Sequence, residues 1–261
     1  MKRRRIGVAV AVAVAFALVL TWHAWLVHAG AWLANVRAAD KLSAADRLTF
    51  DTSARWAPVI RTDMDDAWRP LARRGFNAFV FGAPPSLFSG GSSREDPAAT
   101  EYQAWFGVYS VILDREDDLR LPERELVAFA DGLLQHDQLR WLHTMGDPAP
   151  MAQVARREPT GTVTLLGREV TLFEGEVLTH SDLGEPVTRA GRFLGRASDW
   201  SDRVSSHHEL AMEGFVAVLR DEPARRLYVV WGNGVRFGEV RTWPVLREEL
   251  LGMIATVRLE R

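Results

Sequence analysis

The sequence has no cysteine, and its only lysines are Lys2 and Lys41. The first absence removes thiol nucleophiles, disulfides, thiolate-held zinc or iron–sulfur clusters and a cysteine-linked lipid anchor. The second leaves the chain beyond residue 41 without an amine for a Schiff base, a phosphate-binding loop or a kinase-type site. Pyridoxal chemistry and nucleotide binding through a P-loop are thereby excluded. Charge of one sign is also scarce: the net charge is −2 over 261 residues. Without a basic face there is no footprint for a phosphate backbone, and nucleic acid is not an expected partner. There is no G-x-S-x-G nucleophile elbow, no H-E-x-x-H zinc helix and no EF-hand loop, so neither a metal nor a cofactor is expected. No internal repeat is present.

From Ile6 to Val36 the chain lacks Asp, Glu, Lys and Arg altogether. A spanning helix needs about 20 such residues, whereas the apolar heart of a cleaved signal is about 7–15. Lys2, Arg3, Arg4 and Arg5 precede the run, and only Arg37 and Lys41, offset by Asp40, follow it. The positive-inside rule then places residues 1–5 in the cytoplasm as a basic tail and the bulk of the chain outside. Trp22, Trp25 and Trp32 form the belt expected at the outer membrane–water interface, with Arg3, Arg4 and Arg5 at the inner one. Ala29-Gly30-Ala31 offers a cleavage-like tripeptide, and the alternative is a secreted domain freed by signal cleavage.

Beyond the anchor (6–36), a stalk is expected over 37–61 and one extracytoplasmic domain over 62–261. Thr62 or Asp63 can cap a short helix that Gly75 would end. Residues 76–81 read as a buried strand, 82–100 as a long Pro/Gly/Ser loop, and 102–113 as a second strand closed by the acidic turn at 114–118. Pro122 opens a helix whose apolar stripe is Leu126, Phe129, Ala130, Leu133 and Leu134. One hairpin is expected to turn at Leu166-Gly167-Arg168. Another would use strands 215–219 and 227–231, with Asn233-Gly234 as a further strong turn signal. A last helix opens at Pro244 and buries Leu246, Leu250, Met253 and Ile254, followed by a short terminal strand. Hairpins interrupted by helices imply an α+β domain with a mainly antiparallel sheet and two to four packed helices, behind an N-terminal transmembrane helix.

Candidate chemistry is sparse. His207-His208-Glu209 has the first part of a zinc helix without its second histidine, and adjacent imidazoles diverge on any regular backbone. His180 lies beside Ser181 and Asp182, but a triad is a spatial arrangement, not a sequence one. His136 and His143, seven apart, would share a helix face without the further ligands a metal needs. His180, His207, His208 and Glu209 are therefore the candidates for acid–base work in an exported hydrolase. Phe88, in the long loop, with Trp105 and Trp200 are the candidates for a binding surface, including a small-ligand or sugar platform. The reading this favours is non-enzymatic: a single-pass, membrane-anchored binding or assembly domain of the bacterial cell envelope. Its partners would be membrane lipid through Ile6–Val36 and another envelope protein.

Overall fold

The structure, a computed structural model, describes residues 7, 10–16, 22–39, 48–53, 56, 58–63, 75–81, 104–144, 151–154, 157–180, 209–237 and 240–259. Its centre is an antiparallel sheet of nine strands. We label them β2 (Ile60–Asp63), β3 (Gly75–Phe81), β4 (Ala104–Ile112), β5 (Met151–Val154), β6 (Glu158–Leu165), β7 (Arg168–His180), β8 (Glu209–Asp221), β9 (Arg226–Phe237) and β10 (Val240–Arg241). The order is β2-β3-β4-β9-β8-β7, with β5 and β6 sharing the outer edge of β7 and β10 folding back on β9. Two meanders, β2 to β4 and β6 to β9, thus meet at the β4/β9 seam. Helix α2 (Glu123–Thr144) connects them, α1 (Trp22–Ala39) lies at the β2 edge, and α3 (Trp243–Ile254) precedes β11 (Arg258–Leu259). That last strand pairs with β1 (Leu48–Thr49) in a small second sheet. The α+β architecture with a mainly antiparallel sheet is as the sequence implies.

Apolar residues run almost unbroken through β8 and β9 because both faces of the sheet are covered. Phe215, Ala217 and Leu219 point to one side, where Leu246, Leu250, Met253 and Ile254 of α3 meet them. Val216 and Val218 point to the other, against Leu126, Val127, Ala130, Leu133 and Leu134 of α2. The stripes expected on both helices are therefore the ones that pack, with Phe129 half-buried beside them. At the β6–β7 turn Leu166 and Gly167 have φ of 50° and 77°. Such a pair of left-handed residues matches the twist of the strands it joins.

Two local expectations are corrected. Thr62 and Asp63, expected at a helix start, are strand residues of β2 paired with Asn77 and Phe76, and Gly75, expected to end that helix, opens β3; residues 64–74 lie outside the described residues. Asn233-Gly234 is not a turn but lies within β9, hydrogen-bonded between β8 and β4. Gly234 is needed there for space: a Cβ would come within 2.5 Å of the Trp243 backbone nitrogen. The chain reverses instead at Asp221–Arg226 and again after Phe237.

Within the segment expected as a stalk, several described residues pack on the domain. Leu48, Phe50 and Trp56 enter the α3-side core. Trp56 Nε1 and Ser53 Oγ both donate to Glu249 Oε1 of α3, at 2.8 and 2.9 Å. Likewise the expected anchor, drawn to Val36, overlaps the domain. Asn35 Nδ2 donates to the Val59 carbonyl at 3.0 Å, and its Oδ1 accepts from the Arg61 amide at 2.7 Å. One side-chain amide thus stands in for a neighbouring strand along β2, which explains why this edge is closed. Among the described residues no helix is long and apolar enough to cross a membrane.

Candidate functional site

At the end of the sheet where β7 stops and β8 begins, the aliphatic rows give way to polar ones. The row Glu174–Phe215–Gly232–Phe106 is followed by Gly175–Gly214–Asn233–Trp105 and then by Glu176–Glu213–Gly234–Ala104. Cross-strand partners share a face, so the three rows alternate between the α3 side and the α2 side.

On the α3 side, Glu176 and Glu213 stand directly opposite one another, an arrangement that repels unless a cation joins it. Arg241 supplies the cation: its Nη2 donates to both oxygens of the nearly buried Glu213 at 2.8 Å. This hydrogen bonding, with the field of Glu213 and then of Glu176, raises the Arg241 pKa. One row inward, Glu174 accepts from Arg247 of α3 at 2.7 Å. Glu213 and Glu174 are thus tied to the two elements that follow β9, β10 and α3 respectively.

On the α2 side, Arg157 is only 3% exposed. Its Nε donates to Asp131 of α2 at 2.7 Å and its Nη1 to the Gly214 carbonyl at 3.0 Å. Burial raises the Asp131 pKa, outweighing the attraction and hydrogen bond of Arg157. The Gly214 backbone is crowded: a Cβ there would lie 2.0 Å from the Gly232 carbonyl and 2.2 Å from Asn233 Oδ1. Three buried polar atoms on this side, Arg157 Nη2, Asn233 Oδ1 and Trp231 Nε1, have no hydrogen-bond partner among the described residues. Two donors and one acceptor of this kind are ordinarily satisfied by water or a bound group.

The residues singled out in the sequence are distributed as follows. His180 and Glu209 are register partners on β7 and β8 at the same end of the sheet, and Met151 of β5 is the register partner of His180 on its other flank. His207, His208, Phe88 and Trp200 lie outside the described residues, as do Arg3, Arg4 and Arg5. His136 and His143 belong to α2 and Trp22 and Trp25 to α1, while Trp32 is 66% exposed. Trp105 is half-buried against the α2-side core, and Trp56 and Trp231 are buried in the α3-side and α2-side cores. Among the described residues no group of three or more histidine or carboxylate side chains is placed to hold a metal ion.

Sequence reasoning missed Asp131, Arg157, Glu176, Glu213 and Arg241. A signal was present in the two strands: Glu213 is a lone charge within an apolar run, and Glu174 and Glu176 continue the face begun by Leu172. Elsewhere an open depression of about 330 Å³ lies at the start of α2, lined by Glu123, Thr162, Arg168, Glu169, Thr171 and Arg220 among others. Both of its arginines are engaged, Arg168 with the Arg220 carbonyl and Arg220 with the Leu121 carbonyl. Comparison with family models and with curated proteins found no match to this chain.

Proposed function

We infer that this chain is a single-pass, membrane-anchored domain of the bacterial cell envelope. Its N-terminus is inside, its folded part outside the cytoplasmic membrane, and it works as a binding or assembly component. The observation that carries the reading is the uncharged run: helical residues 10–16 within it expose Val10, Val12, Val14 and Phe16, the last by 64%. Valine and phenylalanine held open in this way along a charge-free helix have no reason to face water, and they suit hydrocarbon. The arginines before the run and the sparse, mixed charge after it favour the outward orientation. Protease added to spheroplasts should destroy the folded part of the C-terminally tagged full chain, while the same treatment of inverted vesicles leaves it intact. The opposite pattern of protection refutes the orientation.

A second reading, an exported hydrolase, is favoured by one observation, the cross-strand juxtaposition of His180 and Glu209. A histidine and a glutamate at paired backbone positions supply the residue types that general-base catalysis uses. Ester and amide hydrolysis by the full chain, lost in both His180→Ala and Glu209→Gln, would support it. No turnover above that of the double variant ends it.

A further inference from the structure

The side of α1 that faces away from the sheet is apolar and uncovered. Ala31 is buried against the domain, and Asn35 on the same side holds the β2 backbone. Opposite them, at the spacing of one helix face, Ala29, Trp32, Leu33 and Val36 are all exposed. An apolar helix face ordinarily lies against an interior, yet these four described residues have no protein over them. The length of the uncharged run identifies what covers it. A span counted from Ile6 uses about 20 residues and ends near the start of α1. The remaining uncharged residues, up to Val36, exceed what crossing requires and are placed just beyond the hydrocarbon.

We propose that the Ala29/Trp32/Leu33/Val36 face of α1 lies in the outer membrane–water interface and that, through Asn35 and Ala31, it holds the domain directly against the lipid surface. The proposal rests on the anchor reading above and adds to it the loss of any stalk. The domain sits on the bilayer in a fixed orientation set by the β2 edge. Trp32 suits the headgroup region with its amphipathic ring, and Leu33 and Val36 suit the acyl boundary beneath it. Arg37, one residue beyond the face, is the first charge after the run and meets lipid phosphate there.

The absence of cysteine makes the test direct, because each introduced thiol is the only one. Full-length Leu33→Cys, Val36→Cys, Val12→Cys and Thr160→Cys, each spin-labelled, are reconstituted in phosphatidylcholine/phosphatidylglycerol vesicles. Collision with oxygen, which partitions into lipid, is compared with collision with a water-soluble nickel chelate. The ratio at 33 and 36 should be several-fold higher than at Thr160, which is exposed on β6, and lower than at 12. Ratios at 33 and 36 equal to that at 160, with 12 still in lipid, overturn the docking and leave the anchor standing. All four positions in water overturn both. Dipolar broadening between labels at 33 or 36, with low collision rates for both reagents, shows a second copy on this face and also overturns the proposal.

Discussion

Replacing Arg157 by methionine should destabilise the domain strongly. The guanidinium is 3% exposed and its partner Asp131 13%, so neither charge is well hydrated when the other is removed. Breaking a buried pair from one side costs about 3–5 kcal/mol, and the residual access of Asp131 places this one near the lower end, about 3 kcal/mol. For a domain of this size that corresponds to a fall in Tm of about 6–12 °C. The double variant Asp131→Leu/Arg157→Met removes both charges and leaves only the Gly214 carbonyl without the donor it has now. That lost hydrogen bond is worth about 1 kcal/mol, so the double variant should recover about 2 kcal/mol relative to Arg157→Met. Thermal unfolding of the detergent-solubilised chain, followed by near-ultraviolet circular dichroism, measures all the variants of the cycle. A loss below 1 kcal/mol for Arg157→Met, or a double variant as unstable as the sum of the singles, refutes this account of the polar end of the sheet.

Three further outcomes follow from the same geometry. Because burial raises the Asp131 pKa, the native state holds its proton to higher pH than the unfolded chain does. The stability this group contributes is therefore complete below the ordinary carboxyl pKa and is lost as pH rises through the raised value. The stability of wild type minus that of Asp131→Asn should accordingly decline with rising pH across that window, and a difference that grows contradicts the burial argument. Gly214→Ala should cost about 3 kcal/mol or more, since its Cβ meets the Gly232 carbonyl and the Asn233 backbone, which cannot swing aside; equilibrium urea unfolding reads this, and a change within 0.5 kcal/mol refutes the β8–β9 packing. Asn35→Ala removes both hydrogen bonds to the β2 edge. It should increase amide exchange at Arg61 by about tenfold, from a local loss of about 1–2 kcal/mol, while leaving β8 and β9 protected.

Local signals in the sequence were sufficient for the elements whose burial is decided within one turn or one hairpin. The stripe Leu126/Ala130/Leu133/Leu134 and the quartet Leu246/Leu250/Met253/Ile254 each define a face by helical spacing alone, and both pack as that spacing implies. Gly167 supplies the positive φ that the β6–β7 turn needs. The failures share the opposite cause. Asn233-Gly234 has strong turn propensity, but two neighbouring strands hold it extended and Thr242–Trp243 crosses above it, contacts more than a hundred residues away on one side. Thr62-Asp63 resembles a helix start, but pairing with β3 prevails. The mixed polarity of 48–56 looked like a spacer because its partners, Glu249, Thr256 and Arg258, stand about two hundred residues further on. The polar site was invisible for the same reason: Arg157 meets Asp131 and Gly214, and Glu176 meets Glu213, only once the second meander has returned to the centre of the sheet.

The central claim is that the chain is held in a bilayer by its uncharged N-terminal run. Carbonate washing of membranes from cells making the full chain with a C-terminal tag, followed by intact-mass analysis of the pellet, tests it most directly. The account predicts a tagged chain that resists extraction and whose mass still includes the uncharged run Ile6 to Val36. A tagged chain released quantitatively into the supernatant, or one shortened at Ala31, contradicts it.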